Sequence, residues 1–422
     1  MTHPSCGEHF IPLRKAELAG VLTSRVPEES RLDWLRFFGI CSALYHHYFQ
    51  VQLDHLKDLY APFDPDADTR PVTDLDPAAE LEGETAFFDS LDRLLQQGNF
   101  RQLNWEHVVI AGQDVKSRLG LQMRMDPSVF ERIEVHVRGE GEITRKRSHW
   151  WKLWEPAEQV VPIHHRMLLV LRLKPRQDIN RDLPREAIHI QMFRRVPKED
   201  LELLMPGSRL RLSHFDKGLI GFPIITGVIM VLGNALWAIL STGFGVLGGL
   251  LSWSAAIAMG GYGVRSYNAW KSKRTHYSLL VNKHLYYQKL DSNLGAILRL
   301  IDEAEEQECR EAWLAYHCLV TRGQENGLTL EEIDRPCEEV LGEVLGKRVD
   351  FEVSDALAKL ARLGVVEQRG DRYHPVPLKD AILRLDAIWD GLFPEKALTL
   401  NEGAMRLAKT LGGKESPARL KD

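Results

Sequence analysis

From Gly218 to Val264 the chain runs without a single Asp, Glu, Lys, Arg or His. That run is 47 residues long, bounded by Lys217 and Arg265. One bilayer crossing takes about 20 apolar residues. As a single helix the run would reach about 70 Å at 1.5 Å per residue, far beyond the hydrocarbon thickness. Two crossings with a tight turn fit, near Leu219–Leu240 and Phe244–Val264, turning at Ser241-Thr242-Gly243. The alternative is a hairpin buried in a soluble core, although core helices of such length usually carry a charge.

Basic residues flank both ends of the run. Arg194, Arg195, Lys198, Arg209, Arg211 and Lys217 precede it; Arg265, Lys271, Lys273, Arg274, Lys283 and Lys289 follow it. Lys and Arg stay on the cytoplasmic side, so both soluble parts and both termini are expected there. Tyr262, Tyr267 and Trp270 stand where an aromatic belt would lie, beside the anchoring charges Lys217, Arg265 and Lys271. In the second span Gly248, Ser252, Ala256 and Gly260 fall four apart, and Gly245 with Gly249 adds a G-x-x-x-G pair. Such a face admits close packing against the first span or against a second copy of the chain. Asn234 is the strongly polar side chain at depth and suits an interhelical hydrogen bond. With no charge inside the spans, ion or proton transport is disfavoured.

Outside the run the chain has an ordinary polar surface, since mean hydropathy is −0.25 despite the apolar tract. The net charge of −5 supplies no global basic field for nucleic acid. Five cysteines (Cys6, Cys41, Cys309, Cys318, Cys337) show no zinc-site spacing and read as reduced, mostly buried thiols. A helix is expected from Asp33 to Tyr60, because Trp34, Phe37, Phe38, Cys41, Leu44, Tyr45, Tyr48 and Phe49 recur at three- and four-residue steps. Its His46, His47 and His55 read as flank residues rather than metal ligands.

From Glu84 to Met192 the pattern is mixed, with helices at Phe87–Leu95 and Trp105–Leu119 and about four strands. Ile133, Val135 and Val137 alternate with polar partners, and Met167–Leu173 is nearly continuous, as in a central strand. Arg138-Gly139-Glu140-Gly141-Glu142 reads as a glycine turn at a strand end without phosphate-loop spacing. Pro197 suits the first turn of a short linker helix whose acids Glu199 and Asp200 meet its positive end, and Pro206-Gly207 stops it. Beyond the tract, Tyr277–Leu290 and Asn293–Arg322 read as helices, and Glu305, Glu306, Glu308 and Glu311 as a solvated acidic face.

Thr329-Leu330-Glu331-Glu332 is a capping box, Ser354 caps a short second helix, and Val365–Val376 reads as a hairpin turning at Arg369-Gly370-Asp371. Helix, glycine, strand, turn, strand is the pattern of a winged helix, a DNA reader in many proteins. Here Leu328–Ile382 holds 8 bases against 12 acids, the wrong sign for neutralising phosphates.

The boundaries expected are an N-terminal helical region (1–83), an α+β domain (84–193), a juxtamembrane linker helix (194–217), a transmembrane helical hairpin (218–264), a helical stalk (265–327), a winged-helix-like domain (328–392) and a flexible tail (393–422). The fold class is therefore α+β with a two-helix transmembrane hairpin and a C-terminal winged-helix-like domain.

Several stretches resemble the domain of unknown function 3754 family, which includes the transmembrane-protein-143-like proteins. They are Phe10-Ile11-Pro12-Leu13, Tyr60–Asp66, Arg138-Gly139, Phe193–Glu202 (with Arg195, Pro197, Asp200 and Leu201, then Pro206), the paired spans, and Val349–Val353. The resemblance implies an integral membrane protein and transfers no catalytic residue. Without a transit-like N-terminus, it points to a member in a bacterial inner membrane. The expected function is a non-enzymatic, membrane-anchored scaffold or adaptor, with lipid, an unspecified protein or a second copy as partner and with no cofactor or metal. One alternative is a membrane-bound hydrolase using the 138–142 turn with His136, His164 or His165. The other is a tethered nucleic-acid binder through the winged helix.

Overall fold

The structure, a computed structural model, describes residues 10–68, 77–104, 122–124, 130–149, 152–174, 187–198, 201, 209–211, 287–323, 326–346 and 350–392, with single positions between 229 and 279. Helices α1 (Lys15–Ser24), α2 (Glu28–Tyr60) and α3 (Pro77–Gln97) come first. The strands β1 (Arg101–Leu103), β2 (Gln122–Arg124), β3 (Phe130–His149), β4 (Lys152–Leu173), β5 (Ile188–Pro197) and β6 (Arg209–Arg211) follow. After the apolar tract come β7 (Lys289–Ser292), α4 (Leu294–Arg322), β8 (Leu328–Thr329), α5 (Leu330–Leu345), α6 (Val353–Arg362), β9 (Val366–Arg369), β10 (Arg372–Pro375) and α7 (Leu378–Asp390).

No helix among the described residues is long and apolar enough to cross a membrane. This corrects the expected transmembrane hairpin, and with it the multi-pass placement in a bacterial inner membrane with cytoplasmic termini. Residues 218–264 lie for the most part outside the described residues. The architecture that is described is α+β, and its long helices bury against protein. α2 interleaves its apolar stripe with charges and packs that stripe on α4 and α7.

A five-stranded antiparallel sheet runs in the order β1-β3-β4-β5-β7. β4 is its centre, which explains the near-continuous apolar run. Leu168 and Val170 point into the helical core, while Met167, Leu169 and Leu171 join Val135, Val137 and Phe193 on the opposite face. β7 adds to the edge of β5 from the far side of the apolar tract, so the chain before the tract and the chain after it share one sheet. They also share one core, in which α1, α2, α3, α5, α6 and α7 contribute buried residues around α4.

Tertiary pairing overrides two local expectations. Arg138–Glu142 is not a turn but the middle of β3, with Arg138 opposite Arg166 and Glu140 opposite His164. Pro197 closes β5, and Lys198 just after it and Leu201 are 3₁₀-helical positions, with the rest of the expected linker helix outside the described residues. β7 likewise replaces the end of the helix expected over Tyr277–Leu290.

In the C-terminal part, Thr329 caps α5 with the reciprocal Glu332 contact, and Gly346 (φ 65°) ends the helix in the left-handed conformation. β8, β10 and β9 form a three-stranded sheet in that order, and Gly370 (φ 65°) makes the tip of the β9–β10 hairpin. Cys41, Cys309, Cys318 and Cys337 are free and buried.

Candidate functional site

The polar chemistry of the molecule converges on α4. Because helices pack around this helix on several sides, residues on more than one face are buried, among them Glu305, Gln307, Glu308, Arg310 and Glu311. This corrects the solvated-face reading: Glu308 is 2 % exposed and Glu311 5 %. Lys359 reaches in from α6, and its Nζ pairs with Glu308 Oε1 and with Asp355. Glu311 Oε1 accepts from Asn99 Nδ2 at 2.9 Å and from Gln307 Nε2 at 2.6 Å. Glu305 meets Lys15 Nζ at 3.2 Å and His46 Nδ1 at 2.9 Å.

Burial raises the Glu308 carboxyl against the pull of Lys359. Burial, with the charge of Glu308, lifts Glu311 to about 8. For Lys359 burial alone would lower the ammonium, but Glu308, Asp355 and Glu311 outweigh it and raise it. At neutral pH the arrangement is a fixed ammonium clamped by two carboxyls beside a neutral, hydrogen-bonded acid. Oxygens of Glu308, Glu311 and Asp355 approach within 4.8 Å of one another, and the Lys359 ammonium pairs with Glu308 and Asp355.

The segments that carry the family resemblance meet nearby. Ile11 N donates to Gln307 Oε1 at 3.3 Å, and Arg310 Nη1 donates to the Leu13 carbonyl at 2.6 Å. Arg138 pairs with Glu303 and donates to the Gly98 carbonyl at 3.1 Å, with its guanidinium 4.4 Å from the Phe10 ring centroid and 4.7 Å from that of Phe100. Burial lowers Arg138 to about 10 even with Glu303 at hand. Tyr60 Oη donates to the Ile188 carbonyl at 2.7 Å, and Asn293 Nδ2 donates to Asp66 Oδ2 at 2.5 Å. These segments tie the N-terminal arm, the sheet edge and α4 together.

The histidines of the hydrolase alternative do not converge. His136 and His164 share a sheet face, but His164 is opposite Glu140, four residues along the strand from His136, about 13 Å away. His165 lies on the other face, against Gly141, where an added Cβ would come within 2.7 Å of its Nε2. Burial, with Lys198, lowers His164 to about 4, so it is a neutral ring in neutral solution.

α6 presents Ser354, Asp355, Ala358 and Arg362 outward, and Glu352 just before it is exposed too. Lys359, one of its two bases, is in the core. Along α5 runs a groove of about 840 Å³ lined by Glu331, Asp334, Glu338, Glu339 and Asp350, with Arg335 among them.

Of the residues singled out from sequence, Gly245, Gly248, Gly249, Ser252, Ala256, Gly260 and Asn234 lie outside the described residues, as do Lys217, Tyr262, Tyr267, Trp270, Asp200 and Pro206. Arg265 and Lys271 are exposed helical positions. Arg195 is an exposed β5 residue with φ 50°, and Leu201 is buried in the second core beside Phe193 and Val196. Sequence reasoning missed Asn99, Glu303 and Asn293; the short helix-to-strand link before β1 was a signal for Asn99, and nothing local marked the other two.

Fold and polar core together define an α+β protein whose sheet is completed across an apolar tract and braced on one central, charge-bearing helix. Residues 160–295, from the middle of β4 to the start of α4, match the family model described as Protein of unknown function (DUF3754). The match does not extend to the narrower transmembrane-protein-143-like likeness. No solved structure matches the chain.

Proposed function

We propose that this protein is a non-catalytic adaptor whose interaction face is the acidic side of α5, and that its partner presents a Lys- and Arg-rich protein segment. The observation that carries the reading is the groove on α5, where five acids surround a single Arg335. Complementary charge of this kind steers association and fixes orientation. Nucleic acid is disfavoured by the same sign of charge and by the loss of Lys359 to the core. The latch between Lys359 and Glu308 supports the adaptor reading, because it holds α6 and the neighbouring hairpin firmly on α4.

The test is capture by the full-length protein compared with an E331K/E338K/E339K variant, quantified by mass spectrometry. Wild type is expected to retain a defined set of basic partners that the variant loses, with far-UV circular dichroism unchanged. Identical captured sets, or a reproducible turnover with no charge-dependent partner, would refute the adaptor reading.

A further inference from the structure

A second polar cluster lies away from the Lys359 latch, where α3 meets β3. Glu134 and His136 are two apart on β3, so both side chains leave the same face of the strand. Asp92 of α3 meets them there: a carboxylate oxygen from each acid and a ring nitrogen of His136 lie within 4.8 Å of one another. Glu134 is 7 % and His136 4 % exposed, whereas Asp92 is half-buried and opens the cluster to solvent.

The surroundings hold these groups in place. Arg132 Nε donates to Glu134 Oε1 at 2.6 Å, with its guanidinium 3.5 Å from the Phe88 ring centroid. That leaves Glu134 Oε2 facing His136 Nε2 at 3.3 Å. Asp92 makes no hydrogen bond among the described residues. An unpaired carboxylate set against a second carboxylate and an imidazole nitrogen is a constellation that a divalent cation neutralises. In the Glu308–Glu311–Asp355 cluster one ammonium pairs with two of the three acids, whereas here Arg132 pairs with Glu134 alone.

We propose that Asp92, Glu134 and His136 bind a divalent first-row transition ion of the zinc or iron(II) class. One imidazole and two carboxylates suit such borderline ions, and three protein ligands leave coordination positions for water. Bonds of about 2.1 Å bring tetrahedral ligand atoms to about 3.4 Å from each other. The half-buried Asp92 side chain supplies the closing movement. Arg132 then orients Glu134 from behind, as outer partners of metal ligands do.

Full-length protein, stripped with a chelator, would be titrated with Zn(II) by calorimetry and with Co(II) by visible absorption. One ion per chain is expected, with a Co(II) d–d band. Asp92→Asn and His136→Gln are each expected to weaken binding by about tenfold or more, since even outer partners of a metal cost that much. His374→Gln, on the distant hairpin, is expected to change neither affinity nor band. Asp92→Asn is near-isosteric and half-exposed, so it reports on the site even where His136→Gln disturbs folding. Wild-type affinity weaker than about 1 mM, or binding that Asp92→Asn leaves unaltered, overturns the assignment.

Discussion

Glu311→Gln tests the electrostatics of the central helix. The Glu311 carboxyl rises from 4.5 to about 8, chiefly through burial and the charge of Glu308. The native state therefore keeps a proton that the unfolded chain releases. Its stabilising contribution is complete below the unfolded value near 4.5 and is lost as pH climbs through about 8. At about 1.36 kcal/mol per pKa unit the ceiling is about 5 kcal/mol, of which about 2 to 3 kcal/mol disappears between roughly pH 5 and 7. Gln keeps the volume, accepts from Asn99 and Gln307 through Oε1, and puts an amide where the acid carries its proton. The variant has no ionisation to resist, although it gives up attraction to Lys359. Urea denaturation at about pH 5, 7 and 8.5, with an unchanged slope on denaturant, is expected to place Glu311→Gln within about 1 kcal/mol of wild type at the lowest pH and about 2 to 4 kcal/mol above it at the highest. Two stability curves that run parallel across this range would refute the reasoning, because a neutral buried acid cannot give that result.

Lys359→Met leaves Glu308 buried without its counter-charge and is expected to cost about 3 to 5 kcal/mol in thermal or chemical unfolding. A Glu308→Leu/Lys359→Met double variant is expected to regain most of that loss. A single-variant cost below about 1 kcal/mol would show that the ion pair does not hold α6 to α4. Tyr60→Phe removes the donor to the Ile188 carbonyl at the sheet edge, for an expected loss of about 1 to 2 kcal/mol in equilibrium unfolding. An unaltered denaturation midpoint would mean that this bond contributes nothing net.

What could be read from sequence follows from how each element gets its stability. The α2 stripe from Trp34 to Phe49, the β4 run Met167–Leu171 and the Thr329 capping box are local patterns, and all three have the structural role their spacing implies. The apolar tract was as clear a pattern, yet its expected hairpin has no counterpart among the described helices. The interior of α4 was not legible at all. Its glutamates resemble a solvated face because the groups that satisfy them, Lys15, Asn99 and Lys359, come from segments far away in the chain. For the same reason Lys359, one of the 8 bases of Leu328–Ile382, is 7 % exposed. Gly139 carries a genuine turn signal, but the pairing of β3 with β4 is worth more than that local preference. β7 was hidden because it pairs with a strand about a hundred residues earlier, and chain connectivity gives no hint of which edge is open. The Asp92–Glu134–His136 cluster sits between these cases. Its i, i+2 half is written in β3, and only the packing of α3 supplies the third ligand. Periodicity reports where apolar side chains are buried. It says nothing about a charge whose partner arrives from another part of the chain, and both the charged latch on α4 and the proposed metal site are built from such charges.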